Sequence, residues 1–153
     1  MHPGMPPIKE RWADLHCMWH ALYQPSDRVV KQAEEQFQQL KIKPDRPYTS
    51  IHLRLSRCAK HLGLQHGYDG PVVMVTDHAV VRKFVAAGFV KNVTAYKTIP
   101  HHFDSAHGAI EGAVTTVSDL AVLAHAKCQV MGQRGFSNMA HWWAGDICFK
   151  DAH

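Results

Sequence analysis

The sequence predicts an α/β protein, a parallel sheet of about five strands with helices on both faces. Three observations carry this prediction. Short runs rich in β-branched residues alternate with longer stretches of helical period along most of the chain. Turn-forming residues separate them, at Lys43–Pro47, Gly67–Pro71 and Gly132–Gly135. The run from Ala113 to Ala126 is apolar nearly all round, as expected of a helix that is buried on most sides.

The elements follow in order. Residues 1–10 read as a loose tail, and 11–153 as a single domain. Arg11 to Leu22 places Trp12, Leu15, Trp19 and Leu22 on one helical stripe. Pro25 stops this helix, and Ser26 or Asp27 can cap the next. From Asp27 to Leu40 the positions Val29, Ala33, Phe37 and Leu40 keep a helical period. Gln32, Glu35, Gln36 and Gln39 form the face expected in water. Tyr48 to Leu53 is the first strand and Ser56 to Leu64 a short helix. Val72–Val75 is a buried strand. Asp77 is expected to cap the following helix, with its stripe Val80, Val81, Phe84 and Val85 and its stop at Gly88. Val93 to Ile99 reads as a strand. Ser118 or Asp119 is a candidate cap for the buried helix. Cys128 to Met131, Phe136 to Trp143 and Ile147–Phe149 complete the series as strand, helix and strand. Strands followed repeatedly by helices make the sheet Rossmann-like.

At 153 residues, with 46% hydrophobic and 20% charged residues, the chain can build a proper core. No apolar run is long enough to span a bilayer, and the first residues lack the pattern of a signal peptide. The net charge of +4 suits an anionic ligand. It is too small and scattered for nucleic acid, which calls for a dense basic stripe. Cys17, Cys58, Cys128 and Cys148 are widely spaced, without a zinc-site pattern. Cys128 and Cys148 lie in apolar runs and read as buried thiols.

Chemistry-bearing residues gather where strands end. Tyr48 to Leu53 delivers His52 and then Arg54 to a strand's C-terminal end, where α/β proteins place ligands. An arginine there can grip phosphate with two parallel hydrogen bonds. Gly132-Gln133-Arg134-Gly135-Phe136-Ser137 follows a strand and opens a helix, a place where backbone N–H groups and the helix dipole favour phosphate. It is neither GxGxxG nor a Walker loop, and taken alone it reads first as an ordinary strand-to-helix turn. His101, His102, Asp104 and His107 crowd one stretch, but adjacent His101 and His102 point apart and no HExxH spacing is present. Trp142-Trp143 is expected to pack in the core.

In order, Ala21–Val29, Ile51-His52-Leu53-Arg54, Val73–Asp77, Thr116–Ala124 and Gly135–Ala140 resemble the C-terminal half of the α-1,6- and protein-O-fucosyltransferase superfamily. The resemblance runs from about Tyr23 to Phe149 and lies in the succession of short motifs. It implies one lobe of a GT-B enzyme that holds GDP-fucose and needs no metal ion or other cofactor. It implies that Arg54 contacts the donor pyrophosphate, with His52 beside it. Asp119 would lie near the guanine or ribose, and Arg134, Gly135, Phe136 and Ser137 would form the phosphate loop. Arg54 would act catalytically by stabilising charge on the departing diphosphate. The acceptor would be a glycan or protein hydroxyl, and an N-terminal lobe would complete the site. Localisation in the Golgi or endoplasmic reticulum lumen would follow if the chain belongs to a longer protein. Two other functions stand beside this one: a catalytically inactive nucleotide-sugar-binding module, and a metal-dependent hydrolase built on His101, His102, Asp104 and His107.

Overall fold

β1 (Thr49–Leu53) is the axis of the sheet, paired on one side with β2 (Val72–Thr76) and on the other with β4 (Cys128–Met131). This computed structural model describes residues 12–43, 45–53, 70–97, 109–131, 135–145 and 148–151. The strand order is β3-β2-β1-β4-β5, all parallel, with β3 (Val93–Thr94) and β5 (Cys148–Asp151) at the edges. Four strands have four or five residues, and β3 has two. β3 is shorter than the predicted Val93–Ile99 because Ala95 and Tyr96 leave the ladder for the core. Gln32 donates to the Tyr96 hydroxyl at 3.1 Å.

Alternation along β2 sorts the layers. Val73 and Val75 join the large core with Phe37, Leu40, Leu120 and Leu123. Met74 joins the smaller one with Val85, Val93 and Ala95. Helices α2 (Asp27–Leu40), α4 (Ala109–Ala124) and α5 (Gly135–Ala144) supply the first core, and α3 (Ala79–Ala86) supplies the second. Helices therefore cover both faces, as the sequence predicts. Helix α1 (Trp12–Leu22) packs outside, against α5. Among the described residues, no helix is long and apolar enough to cross a membrane.

Helix α2 buries Val29, Ala33, Phe37 and Leu40 as its period predicts. Lys41 ends it in the left-handed region, with Ile42 N–H donating to the Phe37 carbonyl. Gln36 departs from prediction: it is buried, because its amide donates to Asp119 on α4 at 3.1 Å. Helix α3 also differs. Its N-cap is His78, not Asp77, and the imidazole accepts from the Val81 N–H. Arg82 and Val85 face inward, while Val80 and Phe84 are exposed. Phe84 instead stacks on Phe89 across the helix end, where Gly88 takes a φ of +84°. The predicted caps Ser118 and Asp119 lie inside α4, which begins at Ala109. Ser118 donates back to the Val114 carbonyl at 2.7 Å, one turn earlier.

Cys128 is disulfide-bonded rather than a buried free thiol. Sheet register puts Cys148 of β5 opposite its backbone, a proximity that no local spacing reveals. Cys17 on α1 is free and exposed.

Two histidines one turn apart fasten α1. His16 Nδ1 donates to the Trp142 carbonyl at 2.9 Å and His20 Nε2 to the Trp143 carbonyl at 3.0 Å. These are last-turn carbonyls of α5, which lack partners within the helix. Trp19 adds a stack on Trp143, whereas Leu22, expected on the packed stripe, is exposed. Gly145 makes the approach feasible. Its φ is +80°, and a Cβ there would stand 3.1 Å from the His16 ring. Gly145→Ala is therefore expected to cost about 1–3 kcal/mol in urea unfolding. Adding His16→Ala should recover part of that loss, because it removes the clash.

Candidate functional site

The strand order reverses at β1: β2 and β3 lie on one side, β4 and β5 on the other. In open α/β sheets, the crevice beyond the strand ends at such a reversal is where ligands bind. β1 sends His52 to this end, and β4 leads to the N-terminus of α5. His52 Nδ1 and Ser137 Oγ are 2.7 Å apart, and both side chains are buried. Phe136 lies against the imidazole, with ring centroids 5.0 Å apart and planes tilted by 52°.

At 1% exposed, Ser137 is too enclosed to attack a substrate, so its contact with His52 orients the imidazole. Gly135 is open: a Cβ there would meet no atom within 4 Å. Gly135 opens α5, and a helix N-terminus favours an anion.

Arg82 reaches over the end of β2. Its Nε and Nη2 donate to the Thr76 carbonyl at 3.2 and 3.0 Å. Nη2 also donates to Asp119 Oδ2 at 2.5 Å, while Gln36 donates to Oδ1. Arg82 and Asp119 are 3% and 9% exposed in their side chains, so water screens their attraction little. Burial pushes the Asp119 carboxyl above the ordinary range, against the charge and hydrogen bond of Arg82 and the hydrogen bond of Gln36.

Of the predicted site residues, His52, Gly135, Phe136 and Ser137 come together. Asp119 lies beyond the neighbouring strand, with both oxygens already engaged by protein. Arg54 follows the last residue of β1 and Arg134 precedes the first of α5, but both lie outside the described residues. So do His101, His102, Asp104 and His107. Among the described residues, no group of three or more His, Cys, Asp or Glu is placed to hold a metal ion. Sequence reasoning missed Arg82 and Gln36. The available signal was an arginine inside the apolar run Val80–Val85, where a buried charge demands a partner.

The fold is a Rossmann-like α/β sheet with helices on both faces that resembles part of a GT-B fucosyltransferase fold. The chain is similar to crystal structures of the NodZ α-1,6-fucosyltransferase. Against the protein co-crystallised with GDP, the TM-score is 0.51 at 17% identity, covering 75% of this chain and 41% of that one. Against the protein soaked with GDP-fucose, the TM-score is 0.53 at 17% identity, covering 78% and 43%. The fucosyltransferase NodZ from Bradyrhizobium gives 0.50 at 17% identity, covering 74% and 41%. This chain thus spans about two-fifths of the length of these proteins. No protein family and no curated protein matches it by sequence.

Two stability predictions follow from the buried pair. Asp119→Ala takes the carboxylate from beside the buried Arg82 guanidinium and is expected to cost about 3–5 kcal/mol in urea unfolding. Replacing both residues by Leu should cost less than Asp119→Ala, since the buried guanidinium leaves with its carboxylate. The pH dependence has a definite sign. A carboxyl raised by folding holds its proton more tightly when folded, so its stabilising contribution is present below its unfolded pKa of about 4. That contribution is lost as pH rises through the folded value. Relative to Asp119→Asn, the parent protein should therefore lose stability upward from about pH 4. Urea midpoints for the two proteins across pH measure this.

Proposed function

We propose that this chain is a nucleotide-sugar-binding domain of a fucosyltransferase-like glycosyltransferase. GDP-fucose is the donor, and a glycan or protein hydroxyl is the acceptor. The contact of His52 with Ser137, at the reversal of a NodZ-like sheet, carries the proposal. It ties the end of β1 to the start of α5, so that two phosphate-holding groups would share one crevice. Arg54, next along the chain from β1, would grip the diphosphate with its planar fork. Arg134 and the first amides of α5 would hold it from the other side. Phe136 would keep water from this wall, and Asp119 would hold Arg82 at the end toward the base and ribose.

Transfer breaks the bond between fucose and the β-phosphate, and negative charge builds on the departing GDP. Arg54 and the N–H groups near Ser137 would stabilise that charge more in the transition state than in the ground state. No metal ion enters this scheme. The acceptor side would come from a second lobe, because the match covers only 41% and 43% of the structural neighbours' own length. The disulfide at Cys128 favours an oxidising compartment, which the endoplasmic reticulum or Golgi lumen provides.

A second reading is a module that binds the nucleotide sugar without transferring it, since the match extends over only part of the glycosyltransferase's fold. Calorimetry with GDP and GDP-fucose tests what the readings share. Saturable binding is expected, weakened about tenfold or more by Arg54→Ala and less by Ser137→Ala. Absence of saturable binding, or equal binding by Arg54→Ala, sinks both. Fucose transfer to a glycan or peptide library separates them: product supports the enzyme, and donor binding without product supports the module.

A further inference from the structure

A second cavity lies away from the crevice, between α1, α2, α4 and the end of α5. It measures about 430 Å³, within the range of small-molecule sites. Ala33, Phe37 and Ala121 form its buried floor, and Tyr23, Val30 and Trp143 its sides. Trp19 backs the aromatic wall, stacking on both Tyr23 and Trp143.

The polar groups at its edge are two imidazoles, a carboxylate and the Tyr23 hydroxyl. His125 Nδ1 donates to the Ala121 carbonyl at 2.8 Å. His20 Nε2 donates to the Trp143 carbonyl at 3.0 Å. Glu34 contributes the carboxylate, and among the described residues neither lysine nor arginine lines the cavity. The occupant favoured by this lining has an apolar body and a group that the carboxylate attracts. A cation adds attraction to Glu34 and to the aromatic faces.

We propose that this cavity binds an organic ammonium ion with an aromatic or hydrocarbon body. The ammonium would sit by Glu34 and the body over Ala33 and Ala121, between Tyr23 and Trp143. The site does not depend on the nucleotide reading.

The test uses 2-phenylethylamine, its neutral counterpart 2-phenylethanol and the anion 3-phenylpropanoate, each titrated into the full chain. Tryptophan fluorescence reports binding through Trp143 and Trp19. The amine is expected to saturate the signal and bind about fivefold or more tightly than the alcohol, with the anion weakest. Glu34→Gln should erase the advantage of the amine over the alcohol. Val30→Arg changes an exposed wall residue and places a cation one turn before Glu34, so it should weaken amine binding about fivefold or more. Circular dichroism confirms that both variants keep the fold. No saturable response to the amine overturns the proposal. So do equal affinities for the three probes, or unchanged amine binding in both folded variants.

Discussion

The Arg82–Asp119 pair is the clip on which the C-terminal end of the sheet depends. Arg82 comes from α3 on one face of the sheet, and Asp119 from α4 on the other. Between them the guanidinium takes the Thr76 carbonyl, at the last residue of β2. Gln36 brings α2 into the same network. Three helices and one strand end are thereby fixed by a few polar atoms with little access to water. Such a pair adds little net stability over apolar residues of similar volume, because both charges must be desolvated. Its effect here is to fix geometry: sliding α3 or α4 would expose a charge to a low-dielectric interior.

The crevice inherits this order. With the end of β2 held, the neighbouring end of β1 has a fixed wall, and His52 is set against Ser137 and Phe136. An enclosed hydroxyl and an aromatic ring restrict the imidazole from two sides. Restriction of this kind leaves little freedom to lose when a ligand binds.

Helix α1 is held by a different kind of contact. Carbonyls that α5 cannot satisfy internally accept from His16 and His20, while Gly145 lets the helices approach. The arrangement closes the lower core with Trp19 but covers α2 and α4 incompletely. The cavity by Tyr23 and Glu34 is the space left over, with aromatic walls and a carboxylate at its edge.

The sequence by itself determined the layer plan. Period-two and helical patterns marked nearly every element, because burial on one face imposes them directly on the chain. It also placed His52 at a strand end and Ser137 at a helix start, since both positions follow from local element boundaries. Tertiary structure decided the rest. Gln36 carries the same local signal as the exposed Gln39, and only the arrival of Asp119 from α4 buries it. Asp119 reads locally as a cap or a ligand group, and only the fold brings Arg82 and Gln36 to donate to its two oxygens. Val80 and Val81 are indistinguishable by hydropathy, yet the rotation of α3 that aims Arg82 inward leaves Val80 in solvent. In each case the deciding partner lies far away along the chain, where a local pattern carries no information about it.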